Sequence, residues 1–190
     1  MSTAKKHRYK HVDGKRLIEI RVKTANQLFD IRDPAPFRER DLDDDFVDYI
    51  SSSAKEFSLS TPLKILIHIE SSELADLNKA AIKEAIHSHT AYQIELQEQN
   101  LKDFVRRGQL VLVLGVTVLS ICLGISTSIP DDPAPSRFLE MLKEGLVIIG
   151  WVSMWRPMEL LLFDWLPLYD KLRLLRKLLA TEIDIQFGTK

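Results

Sequence analysis

Residues Leu110–Ile129, LVLVLGVTVLSICLGISTSI, run for 20 positions without a charge. As an α-helix, at about 1.5 Å of rise per residue, such a run reaches roughly 30 Å, the thickness of a bilayer's hydrocarbon core. A helix packed on the core of a water-soluble protein keeps a polar side, and this one has none. It is therefore expected to cross a membrane, and the rest of the chain has to be arranged around that crossing. The mean hydropathy of −0.07 hides the point, because it averages a charged first half with an apolar span. At 190 residues there is room for one water-soluble domain and a membrane element, not for two full domains.

The flanks of the span give it a direction. Arg106 and Arg107 stand before it; Pro130-Asp131-Asp132-Pro133-Ala134-Pro135-Ser136, short and acidic, stands after it. Basic flanks stay on the cytoplasmic side, so the N-terminus is expected inside and the short loop outside. Phe138–Trp155 reads as the return span, with Glu140, Lys143 and Glu144 near its outer end and Trp151 and Trp155 suited to the inner headgroup zone. Together 109–156 form a transmembrane hairpin, spans 110–129 and 138–155. Residues 157–180 open on Pro157, mix Leu, Phe and Trp with Lys171, Arg173, Arg176 and Lys177, and read as an amphipathic helix lying in the membrane surface. Both ends of the chain then face the cytoplasm. The basic N-terminus is not followed by an apolar run of signal-peptide length, so the first span is expected to act as its own insertion signal. The one cysteine, Cys122, lies inside the span and offers no disulfide framework or cysteine metal site, in keeping with a reducing compartment.

The polar part reads as α+β. Residues 1–16 are a basic, flexible tail, able to meet anionic lipid headgroups. A cytosolic α/β domain occupies 17–107. Leu17–Lys23 and Leu63–Glu70 alternate apolar and polar residues with period two, as half-buried strands do, and Gln27–Ile31 is a short strand candidate. Asp33-Pro34-Ala35-Pro36 interrupts regular structure. Asp43-Asp44-Asp45 precede Phe46, Val47, Tyr49 and Ile50 at helical spacing, which makes the acidic run an N-cap and first turn of a helix reaching Phe57. From 72 to 107 there is neither Pro nor Gly, and a long helix is expected there, capped by Ser71 or Ser72. Glu182–Phe187 alternates again and is expected to return to the sheet as its final strand.

Chemistry is sparse. No Gly-rich phosphate loop, HExxH, nucleophile elbow or Cys pair is present, and no cofactor is expected. The acidic run 41–45 lacks the sixth-position glycine and twelfth-position glutamate of a calcium loop. His68 sits in a strand. His87 and His89, two apart, point away from each other on a helix. Two features stand out. Arg156 and Glu159 are three apart, on one helical face, where an unpaired charge near the membrane would be costly; they are expected to form an interfacial pair, with a proton or ligand role as the alternative. Ser120, Gly124 and Ser128 form a small-xxx-small face on the first span, expected to receive the second span or a neighbouring protein. Arg38, Arg40, Asp41 and Asp43 are the candidate contacts to a partner.

The run from Asp33 to Asp43, DPAPFRERDLD, resembles one in uncharacterised small bacterial two-span inner-membrane proteins. The resemblance implies an inner-membrane setting and no particular activity. The net charge of −1 argues against a nucleic-acid partner, leaving membrane lipids and another protein, or the chain itself, as partners. The expected function is that of a membrane-anchored adaptor or accessory subunit presenting a cytosolic domain. A transport or channel component built from several hairpins competes with it, as does an enzyme at the membrane surface using Asp41–Asp45 or His68 with a metal.

Overall fold

The computed structural model describes residues 9–35, 40–70, 79–129 and 137–188. The chain forms two compact units, one of Met1–Gln97 with Lys171–Lys190 and one of Glu98–Asp170.

The first unit is built on a four-stranded sheet in the order β1 (His11–Val12), β2 (Lys15–Val22), β3 (Leu63–Ile69), β4 (Glu182–Phe187). β1 pairs antiparallel with β2; β2 with β3 and β3 with β4 are parallel, with Ile18 opposite Ile65 and Ile65 opposite Ile183. The β1–β2 connection is the dipeptide Asp13-Gly14, both at positive φ (51° and 76°), as the tightest hairpin turns require. The flexible tail expected over 1–16 is not what its described part forms. Tyr9 is buried against the edge of the Phe57 ring, and residues 11–16 belong to the hairpin. A short strand expected at Gln27–Ile31 is instead a 3-10 turn, Ala25–Leu28, followed by a single antiparallel bridge from Phe29 to Leu42. The buried Leu28 and Phe29 anchor that turn in the core.

Period two sorts the sheet into unlike faces. Ile18, Ile65, Ile67, Ile69, Ile183 and Ile185 share one cluster with Phe46, Ile50 and Ala54 of α1 (Asp44–Lys55), Ile82, Ala85 and Ile86 of α2 (Lys79–Ser128), and Leu174 of α5 (Leu166–Leu179). Each fully buried isoleucine contributes up to about 1.5–3 kcal/mol. Residues 72–78 of the long helix lie outside the described residues, as does its cap at Ser71 or Ser72. α1 begins as its acids demand: the Asp43 carboxylate accepts the Phe46 N–H at 3.2 Å, and Asp44 and Asp45 occupy the first turn. β4 lies at the sheet edge. Its Gly188 N–H bonds to Ile69 O (2.7 Å), so Ile183, Ile185 and Phe187 turn their backbone groups outward. The Ile185 N–H is taken by the Asp184 side chain at 2.9 Å, which blunts the edge.

The second unit holds the remainder of α2, α3 (Arg137–Ser153), α4 (Trp155–Glu159), a π-helical turn (Leu160–Asp164) and the start of α5. α2 is one helix of 50 residues, unbroken at Gly108, and two helical stretches are long and apolar enough to cross a membrane. Only 17% and 11% of their most apolar windows are buried, where a core helix of a soluble protein would be mostly buried. α3, expected as the return span, does not pack on Ser120, Gly124 and Ser128. A Cβ added at Gly124 meets nothing within 4 Å, and the Ser120 and Ser128 hydroxyls donate to carbonyls of their own helix. The contact runs along Gly115, Leu119, Cys122 and Ser126, against Gly150, Ser153 and Pro157. Gly115 admits Pro157: a Cβ there would lie 2.9 Å from the proline ring and 3.1 Å from the Ser153 carbonyl. Ser153 donates to Gly115 O and Ser126 to Lys143 O, each at 3.3 Å.

The surface helix expected over 157–180 is also revised. It is interrupted by the π turn, and its basic last part, from Lys171, belongs to the first unit. There Leu172, Leu174 and Leu175 are buried and Lys177 donates to Ser58 O at 2.7 Å. The apolar stripe meets protein rather than lipid along that part.

Candidate functional site

The second unit contains a charge cluster that its helix geometry assembles. Arg156 Nη1 donates to Glu159 Oε2 at 2.9 Å, one turn along α4, as the three-residue spacing predicts. The same Nη1 lies 3.4 Å from Asp164 Oδ2. That partner was not visible in the sequence, because eight residues along a regular α-helix leave a side chain well off the original face. The π turn at Leu160–Asp164 uses more residues per revolution and rotates Asp164 back over Arg156. One guanidinium thus serves two carboxylates, and the cluster carries a net negative charge. It lies just past the second apolar stretch, where ionisable groups are expensive unless paired or put to use.

Glu159 also lines an open groove of roughly 520 Å³ with Leu119, Trp151, Met154, Trp155, Met158 and Phe163 among its walls. Trp151 is 67% and Trp155 76% exposed, so the indoles are not consumed by packing within the chain. The groove has aromatic faces, adaptable thioethers and a single carboxylate at its side. It can hold an apolar body and fix the position of a positive charge. Small residues at Gly115 and Gly150 bring the helices close enough to give it a floor at Leu119.

The first unit offers a second polar arrangement, at the partner residues named from sequence. Asp41 Oδ1 lies 3.1 Å from His89 Nδ1, and the Leu42 N–H approaches the same nitrogen at 3.4 Å. With a hydrogen on Nδ1 the ring donates to Asp41; with a bare Nδ1 lone pair it accepts from Leu42. The segment is held from its other side by Asp30 N–H to Asp41 O (2.8 Å) and Asp43 N–H to Leu28 O (3.0 Å). Asp33 accepts the Asp41 and Ala35 N–H groups at 2.7 and 2.9 Å; those bonds, with the nearby Arg40 charge, lower its carboxyl pKa. Asp43 is engaged as the α1 cap, Arg40 Nε is buried, and Arg38 lies outside the described residues. Asp41 and Asp43 thus also link segments of the fold, although the Asp41 side chain is 61% exposed. A small apolar hollow of about 40 Å³ beside His89, bounded by Leu42, Phe46, Ile50 and Ile86, has room for little more than a water.

The sheet face opposite the core is largely polar. It displays Glu19 and Arg21 on β2, Lys64 and His68 on β3, and Glu182, Asp184 and Gln186 on β4, all half-buried or exposed. Glu182 meets Lys15 at 2.7 Å and Lys64 at 3.0 Å, and these two ammonium groups hold its pKa down at about 2. His68 stands beside Arg21 and Gln186 in register, and no cluster of three or more His, Cys, Asp or Glu suited to a metal occurs among the described residues. No protein family, curated protein or solved structure matches this chain.

Proposed function

We propose that the chain is a membrane-anchored adaptor or accessory subunit of the inner membrane, with both termini cytoplasmic, whose first unit docks another protein. The observation that carries this reading is a sheet on which, among the described residues, helices pack on one face. Parallel sheets occur almost only with both faces covered. Here β2, β3 and β4 are parallel, helices pack on one face, and the other bears Arg21, His68, Glu182 and Gln186 with Leu17 and Leu66 sunk among them. A mixed-charge face with a small apolar centre suits a polar protein surface rather than a bilayer. The double change Arg21→Glu with Gln186→Arg tests it on the full chain in mild detergent. Both positions are exposed, so stability should stay within about 0.5 kcal/mol. A protein that copurifies in fixed ratio with the wild type should be lost from the variant. Equal recovery from both, or a wild type that isolates alone, removes the reading.

A transport component is the second reading. The Arg156–Glu159–Asp164 cluster supports it, and so does the outward Ser120/Gly124/Ser128 face, which leaves a close-approach surface for another hairpin. It requires a homo-oligomeric mass in detergent, whereas the adaptor reading requires the mixed complex.

A further inference from the structure

We propose that the groove of the second unit binds an amphiphilic organic cation, a quaternary ammonium or phosphonium whose apolar groups fill the space between Trp151, Trp155 and Phe163 and whose charge rests near Glu159. The inference stands apart from the docking surface of the first unit and draws on different residues.

The size and lining select the class. A space of roughly 520 Å³ falls within the ordinary range for small-molecule sites. Its walls are apolar apart from Glu159. Three aromatic side chains line this one site, and a cation set over an aromatic ring is attracted by the ring's negative face, which favours a cation over a neutral body of the same shape. Met154 and Met158 add soft surface that adjusts to different substituents.

The charges select the sign. Arg156 is shared between Glu159 at 2.9 Å and Asp164 at 3.4 Å, so two carboxylates face one guanidinium. The surplus negative charge lies beside apolar walls, with Glu159 about half exposed and open to a mobile counter-charge. An anion would meet the same carboxylate and be rejected. A lipid acyl chain would fill the volume but leave the surplus charge unanswered. A zwitterionic headgroup would bring a phosphate for which Arg156, already doubly engaged, is a poor partner. The π turn is the independent mark: it places Phe163 in the groove wall and Asp164 on Arg156 at once, and such turns concentrate at functional sites.

The experiment uses the full chain in phosphatidylcholine vesicles and reads tryptophan fluorescence. The probes are tetraphenylphosphonium and tetraphenylborate, of like shape and opposite charge. Saturable quenching by tetraphenylphosphonium is expected, with no saturable response to tetraphenylborate. Glu159→Gln should weaken the cation at least tenfold, Asp164→Asn by less, and Trp155→Ala should also weaken it. Equal saturable binding of the two probes, or no saturable binding of the cation, overturns the proposal. So does wild-type affinity in both carboxylate variants. The comparison of probes needs no variant, so a misfolded Glu159→Gln leaves the test intact.

Discussion

Glu182 shows how one side chain at the start of a strand ties three strands together. It reaches Lys15 on β2 and Lys64 on β3 from its own position on β4. Its folded-state pKa, about 2, lies below the ordinary 4.5. The stabilisation this carboxylate provides is therefore complete above 4.5 and is lost as pH falls toward about 2. The acid limb of the unfolding curve should flatten in Glu182→Gln, and the variant should match the wild type most closely at the acid end. Denaturant titrations of both proteins across that window check this; parallel acid limbs would mean the contacts are not maintained in solution. The shift on Lys64, raised chiefly by its bond to Glu182, has the matching sign. Asp30 and Arg32, by contrast, shift each other on an exposed loop. Screening there leaves little for stability.

At the scale of elements, the hairpin is decided by where its backbones can touch. Gly115→Leu forces a side chain into Pro157 and the Ser153 carbonyl, and should destabilise the hairpin by about 1–3 kcal/mol. Gly124→Leu enters open space and should leave the melting temperature of the detergent-solubilised chain unchanged. The reverse ranking would put the return span on the other side of α2. The residues do not announce this choice. In lipid no hydrophobic drive marks the inner face, and α2 carries small residues on both sides, Ser120/Gly124/Ser128 and Gly115/Cys122/Ser126. The strands were legible because one face of the sheet meets a core and the other does not, so Leu17–Lys23, Leu63–Glu70 and Glu182–Phe187 alternate. Asp13-Gly14 is itself a hairpin signal, set among basic residues that otherwise suggest a flexible tail. Two things leave no compositional trace. One is the π turn, a change of pitch that brings Asp164 to Arg156. The other is the partner of the leucine stripe on α5, since an apolar face reads the same whether lipid or sheet receives it. Of the groove, the Arg156–Glu159 pair could be read from spacing; the pair His89–Asp41, joined across 48 residues, could not.

For the whole molecule, chain order matters more than composition. The second unit is inserted between two halves of the first, which the chain leaves after Gln97 and re-enters at Lys171. The first unit owns all four strands and the cluster of buried residues that covers them. Joining Gln97 to Lys171 with a short Gly/Ser bridge should then yield a water-soluble protein that unfolds cooperatively by circular dichroism. Aggregation of that product would show that the unit cannot stand without the hairpin. The two crossings proposed above would also keep both ends of the chain on one side of the membrane. Cysteines placed at Thr3 and Lys190 in a Cys122→Ser background should resist an impermeant thiol reagent in intact cells, and one at Ser136 should react. Labelling of either end overturns that topology. The insertion has a further consequence during synthesis. β3 is made before the two spans and β4 after them, on the order of ten seconds later at about 5–20 residues per second. Through that interval the backbone groups of Ile65, Ile67 and Ile69 on one side of β3 have no strand to pair with. A hairpin that crosses once instead of twice would leave Glu182–Phe187 on the wrong side of the bilayer and β3 as a bare edge, open to proteases and aggregation. If the chain crosses twice, as proposed, closure of the sheet serves as a proofreading step, completed only by chains that entered the membrane and came back.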